Sequence, residues 1–164
     1  MVINELDWIK EAKKHVGKHE VKDVSFIREM NKYLNAPSYI TTKTAWCGTF
    51  VSYCLNQFNI KTPTHWYRAL DYITMGTKLS KPAYGCVAIK TRKGGGHVCF
   101  VVGRTKDNKL VCLGGNQSDM VCYALYNESD FEEFRWYGRT PNPAAIRYAL
   151  PLINGVSKTK VTES

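Results

Sequence analysis

Cys47, His97 and Asn116 are the residues of this 164-residue chain whose types and spacing could do chemistry together. A thiol becomes a nucleophile when its pKa is lowered and a base stands beside it. Cys47 lies in "TAWCGTFVSYCL", which reads as a helix with Thr44 as N-cap. Cys47 then falls in the first turn, where the partial positive charge of the helix end favours the thiolate. Cys54 shares a face with Cys47, Phe50, Val51 and Phe58 but lies two turns further in, and reads as an inert small hydrophobe. His97 follows three glycines and opens the apolar run "HVCFVVG". A hairpin turn centred on Lys106 and Asp107 places Asn116 opposite His97. His97, Cys99 and Val101 then share a face with Asn116, Gly114 and Cys112, and that face could pack against the helix carrying Cys47. A one-residue slip would turn Asn116 away. Thiol, imidazole and orienting amide are the three roles that nucleophilic acyl transfer requires.

Other candidates are weaker. His15 and His19 are spaced i, i+4, but Gly17 lies between them and the H-E-x-x-H pattern is missing, so solvated surface is the expectation and no metal site is assigned. Gly94, Gly95 and Gly96 match no phosphate-binding pattern. A flexible stretch that lets a substrate backbone approach His97, with Gly96 in contact, is the better reading. Lys90, Arg92 and Lys93 could meet acidic groups or form a solvated hairpin end. Trp46, Trp66, Tyr67, Trp136 and Tyr137 could line a groove, though core or core edge is the commoner fate of such residues.

The elements that must position these residues divide the chain in two. Helical periodicity predicts helices over 5–16, from a Ser25 cap through Leu34, over 45–58 and, shorter, over 66–75. From residue 84 the pattern changes to short apolar runs, "YGCVAIK", "HVCFVVG", "KLVCLGG" and "MVCYALY", with "FRWYGRT" as a last strand. Helices first and strands second predict one α+β domain over 1–150, N-terminal helices packed on an antiparallel sheet, with a polar flexible tail over 151–164. Lys and Arg number 23 against 14 Asp and Glu, a net charge of +9 that favours anionic polymers. The basic residues are scattered and no RNA-binding aromatic motif occurs, which argues against dedicated nucleic-acid binding. The six cysteines contain no C-x-x-C pair, so neither a zinc ribbon nor a disulfide framework is expected. No apolar run reaches membrane-span length, and the first residues do not read as a secretory signal.

"TAWCGTFVSYCL", "GGGHVCFVVG", "LVCLGGNQSD" and "FRWYG", in that order, resemble the CHAP and NlpC/P60 papain-like superfamily, above all its phage-associated group. The lead-in "WIKEAKKHVGKHE" resembles that group's opening, including Glu20, to which no physical role attaches. The resemblance implies a papain-like fold and a cysteine hydrolase of peptidoglycan, an amidase or endopeptidase cutting amide bonds in or beside the stem peptide. It assigns the nucleophile to Cys47, the general base and acid to His97, and the orienting role to Asn116 with Gln117 as fallback. Trp46, Gly96 and Gln117 become substrate-side residues, with no metal or cofactor required. Gly48 and Thr49, Cys99, and Tyr84-Gly85-Cys86 depart from the usual pattern without removing a reacting group. The expected setting is a monomer made in the cytoplasm and delivered to the wall by a holin or a type VI secretion machine, with an acidic immunity protein as partner in the second case. The rival readings are a papain-like protease or acyltransferase acting on protein, and a non-catalytic wall-binding module.

Overall fold

The structure, a computed structural model, describes residues 4–155. Helix α1 (Asp7–Lys14) buries Trp8, Ile9 and Ala12 on one face. The chain turns out of it at Gly17, whose φ of +97° suits glycine and whose N–H reaches Val121 O at 2.8 Å. Helix α2 (Val24–Tyr33) is flanked at its start by Asp23, so Ser25 lies inside the helix and not at its cap. Helix α3 (Cys47–Asn56) is buried continuously from Cys47 to Leu55, so it is a central helix with no solvent face. Residues 66–75 were expected to form a short α-helix. Only Ala69–Thr74 is helical there, as a 3₁₀ segment.

The strands form one antiparallel sheet: β1 (Thr77–Leu79), β2 (Val87–Arg92), β3 (Gly95–Arg104), β4 (Leu110–Gln117), β5 (Met120–Tyr126) and β6 (Glu133–Trp136), in the order β1-β6-β2-β3-β4-β5. The α+β class and the hairpin series from β2 to β5 agree with the sequence reading. The insertion of β6 between β1 and β2 does not, because a return across three strands leaves no local signal. β1 is only three residues long, has no alternation to read, and exists through its pairing with β6.

Strands β3 and β4 are buried on both faces, which explains their unbroken apolar runs. A Cβ on Gly115 would lie 2.7 Å from the Trp46 ring and 2.8 Å from Phe50 Cβ. One on Gly114 would meet Gln117 Oε1 at 2.8 Å and Cys99 Cβ at 2.9 Å. Helix α3 therefore lies on the Gly115 side, and the face shared by Cys99 and Gly114 is turned away from it. This corrects the expected packing. The far face carries Lys90 opposite His97, and Ala88 opposite both Cys99 and Phe134. It is filled by a chain of rings: His97–Tyr126 at 6.0 Å, Tyr126–Phe131 at 5.4 Å and Phe131–Phe134 at 5.5 Å.

The expected flexible tail begins too early. Arg104 N–H donates to Pro151 O and Ile153 N–H to Arg104 O, each at 2.9 Å, which fastens 151–153 beside β3; residues 156–164 lie outside the described part. Among the described residues no helix is long and apolar enough to cross a membrane.

Candidate active site

The start of α3 lies closer to Cys47 than the sequence suggested. Trp46 is the flanking residue (φ −124°, ψ 17°) and Cys47 the first helical one. Thr44 does not cap the helix; its hydroxyl accepts the Thr41 N–H at 2.9 Å in the preceding turn. Phe50 N–H to Trp46 O, at 3.0 Å, is the first bond of the helix. The N–H groups of Cys47, Gly48 and Thr49 come before it and point out of the helix end. Trp46 is 2 % exposed and donates its indole N–H to Glu20 Oε1 at 3.0 Å. It is therefore an anchor for the helix start and not a groove residue, and Glu20 has the physical role that its sequence context left blank. Gly48 is required by close approach: a Cβ there would lie 2.3 Å from Trp66 O. The Tyr72 hydroxyl donates to Gly48 O at 2.7 Å and fastens the same turn.

His97 opens on β3 opposite Lys90 of β2, as a strand-start histidine should. The expected register between β3 and β4 holds at Phe100–Leu113 and Val101–Cys112. Nearer the turn a bulge shifts the pairs to Gly103–Val111 and Arg104–Leu110, one residue off the expectation, and past Phe100–Leu113 the ladder ends. The Val98 N–H and the His97 ring both stabilise the Cys47 thiolate, which sets the thiol beside the start of β3. The thiol thus lies beside the end of β3 that carries His97 although α3 packs on the other face.

The amide that faces His97 belongs to Gln117. Its Oε1 stands 3.0 Å from His97 Nε2. Two neighbours decide which end of the amide faces the ring. Gln117 Nε2 donates to Cys122 O at 2.7 Å and Cys112 O at 3.4 Å, and carbonyls can only accept. Oε1 is left for His97, and it also accepts the Tyr126 hydroxyl at 3.2 Å. His97 Nε2 therefore carries the proton, and Nδ1 is the nitrogen that can act on Cys47. Asn116, the expected residue, sits at φ +57° where the β4–β5 register shifts between Gly114 and Gln117. That bulge adds one residue to the strand, reverses the alternation, and gives the facing position to Gln117. Gly114 completes the fit by leaving room for the Gln117 amide.

The electrostatics separate Cys47 from the other thiols. Burial alone pushes Cys47 up, but the His97 hydrogen bond and charge, the Val98 N–H and the Arg92 charge bring its pKa below the ordinary thiol value. Burial pushes His97 down, yet its contacts with Cys47 and then Cys99 hold it well above an ordinary imidazole. Each shift favours the charged form of its group, thiolate at Cys47 and imidazolium at His97. Cys54, on the same helix, is pushed well up by burial and then by the Glu11 charge; Cys99 is raised by burial and its Cys112 contact, and Cys86 to about 12 by burial. All six cysteines are free thiols.

The remaining expectations resolve as follows. Gly96 is buried in β3, where a Cβ would lie 2.7 Å from Leu70, and its carbonyl accepts Arg92 Nε–H at 2.9 Å, so it is a packed strand residue and not a flexible approach to His97. His15 is buried, not solvated, and binds Glu11 and Lys18. Trp66, Trp136 and Tyr137 lie at the core edge. Among the described residues no cluster of three or more His, Cys, Asp or Glu could hold a metal. Compared with protein-family models, curated proteins and solved structures, the chain finds no match in any of the three.

Proposed function

We propose that this protein is a papain-like cysteine hydrolase that cuts amide bonds in or beside the stem peptide of bacterial peptidoglycan. One observation carries the reading: His97 stands beside the Cys47 thiol at a helix start and against a Gln117 amide whose orientation is fixed by the carbonyls of Cys122 and Cys112. The substrate class rests on the resemblance of the ordered motifs around these residues, and the +9 charge suits an anionic wall.

In this mechanism the Cys47 thiolate attacks the amide carbonyl carbon while the first-turn N–H groups of α3 receive the developing oxyanion. One such donor is typically worth about 10²–10³ in rate. The His97 imidazolium gives its proton to the departing amine, leaving a thioester. Water then attacks with His97 as base, and the thiol is restored. Gln117 keeps Nδ1 as the working nitrogen throughout. Cys47 is only 4 % exposed, so the residues over it must move aside as substrate binds. The free thiols suit synthesis in a reducing cytoplasm and later delivery to the wall.

Purified sacculi test the proposal: wild-type protein should release muropeptides readable by mass spectrometry, and Cys47→Ala should release none. Digestion of protein substrates with intact sacculi would point to a papain-like protease instead. The depth of the thiol favours a second reading, a non-catalytic wall-binding module with Cys47 as packing. Iodoacetamide near neutral pH separates the two. Rapid, selective labelling of Cys47 supports the enzyme, and uniform inertness of all six thiols supports the module.

A further inference from the structure

The far face of the sheet holds a polar group that the hydrolytic scheme does not use. Tyr126, the last residue of β5, is 9 % exposed, and its hydroxyl lies 3.2 Å from Gln117 Oε1. A phenol can donate or accept. Here the Cys122 and Cys112 carbonyls take the Nε2 end of the amide, so the atom facing Tyr126 is a carbonyl oxygen and the hydroxyl donates to it. The ring is held from several sides. It lies 6.0 Å from the His97 ring, stands edge-on to Phe131 at 5.4 Å, and carries the Lys90 ammonium 5.5 Å from its centre. Lys90 is also the residue opposite His97 in the β2–β3 register.

Holding Gln117 by its nitrogen does not by itself fix the oxygen. The last torsion of a glutamine side chain joins a tetrahedral carbon to a planar one and is broad. An amide pinned at Nε2 therefore swings about that end, and the Cys112 contact, at 3.4 Å, is too long to stop it. A contact at Oε1 from an independently packed group sets the plane. His97 cannot be that group, because it is the ring being oriented. We infer that Tyr126 is a positioning residue for the Cys47–His97 pair: its bond to Oε1 sets the plane of the Gln117 amide, and the amide sets the His97 ring. The inference rests on the hydrolase reading above and extends its machinery by one residue, which acts through Gln117. Tyr126→Phe isolates this role, since it keeps the ring and its packing and removes only the donor.

Three measurements on the full chain test it: kcat and KM on solubilised peptidoglycan, the rate of iodoacetamide labelling at Cys47 near neutral pH, and the urea unfolding midpoint. Tyr126→Phe should lower kcat and the labelling rate about 3–10-fold each, with KM within about twofold. In a Gln117→Leu background the same change should have no further effect, because the amide through which Tyr126 acts is gone. Phe131→Leu loosens the packing around the ring and keeps the hydroxyl, so it should lower the unfolding midpoint and leave kcat within about twofold. The inference is overturned if Tyr126→Phe leaves both rates unchanged, if it lowers them equally with and without Gln117, or if Phe131→Leu reproduces its loss. Failure of the two proposals is distinguishable. If sacculi stay intact while Tyr126→Phe slows labelling of Cys47 only when Gln117 is present, the positioning role holds and the hydrolase reading falls. If sacculi are digested through Cys47 while Tyr126→Phe works at the wild-type rate, the positioning role alone falls.

Discussion

Two buried imidazoles lie in this protein, and only one is placed to act. His15, just past the end of α1, has Nε2 2.6 Å from Glu11 Oε2 and Nδ1 2.9 Å from Lys18 Nζ, and stacks on Phe26 at 4.5 Å. An ammonium can only donate, so Nδ1 accepts from Lys18 and Nε2 donates to Glu11; the ring is neutral and bridges two charges. Burial first, and the Lys18 charge against the Glu11 contacts, push its pKa down. His97 has one nitrogen on a neutral amide and the other available to a thiol, and its pKa is pushed up. Burial is common to both. What separates them is the partner: His15 has both nitrogens closed by charged neighbours from its own helix and the next turn, whereas His97 lies between a neutral amide and a thiol brought from another element.

Substitution should widen that contrast. Cys47→Ala is expected to abolish sacculus hydrolysis, a loss of about 10⁴-fold or more in rate, without lowering the unfolding midpoint seriously. Gln117→Leu should cost about 10²–10³-fold, because His97 loses the acceptor that fixes its tautomer. Asn116→Gly, which suits the left-handed backbone there, should cost less than about tenfold; the reverse order would return the orienting role to Asn116. His15→Leu should act in the opposite sense. It leaves Glu11 and Lys18 without their bridge and is expected to destabilise the fold by about 1–3 kcal/mol in urea unfolding, with kcat within about twofold. A large fall in kcat at unchanged stability would remove the distinction drawn between the two sites.

pH sharpens the comparison further. At the Cys47–His97 pair, the thiolate is lost as pH falls through the lowered thiol pKa, and the imidazolium as pH rises through the raised imidazole pKa. The rate of iodoacetamide labelling should therefore form a broad plateau, its acid limb below the ordinary thiol value of 9.0 and the imidazolium persisting above the ordinary imidazole value of 6.5. At His15 the sign concerns stability. The unfolded chain takes up a proton on that ring near 6.5 while the folded chain does not, so stability falls as pH drops below 6.5 toward the folded value. Glu11, whose pKa is lowered by its His15 and Lys14 contacts against the opposing effect of burial, adds stability above 4.5 that is lost as pH falls through its own folded value. His15→Leu should remove the first of these two losses and shrink the second to the part that Lys14 supplies.

Much of the site was readable before any fold was known, and its reading failed at identifiable points. Helical spacing placed Cys47 at a helix start and Cys54 in its interior, and the change of period at residue 84 placed His97 at the start of a strand. Both follow from local backbone geometry, which a single segment of sequence expresses. The expected hairpin register holds only at Val101–Cys112 and Phe100–Leu113; nearer the turn a bulge shifts it by one residue. Past that pair it depended on a bulge at Asn116, and a bulge is decided by how two neighbouring strands share their hydrogen bonds and by which side chain the space beneath Gly114 can accept.

The sequence by itself determined the segments, their apolar faces, and the residue types able to act as nucleophile and base, because periodicity, composition and turn residues are local properties. Only the tertiary structure decided that Gln117 and not Asn116 turns to His97, that Cys47 and His97 come to lie side by side, that β6 lies between β1 and β2, and that His15 is sealed in a bridge. Each of those outcomes depends on contacts between segments far apart in the chain, where a shift of one residue exchanges one face for the other.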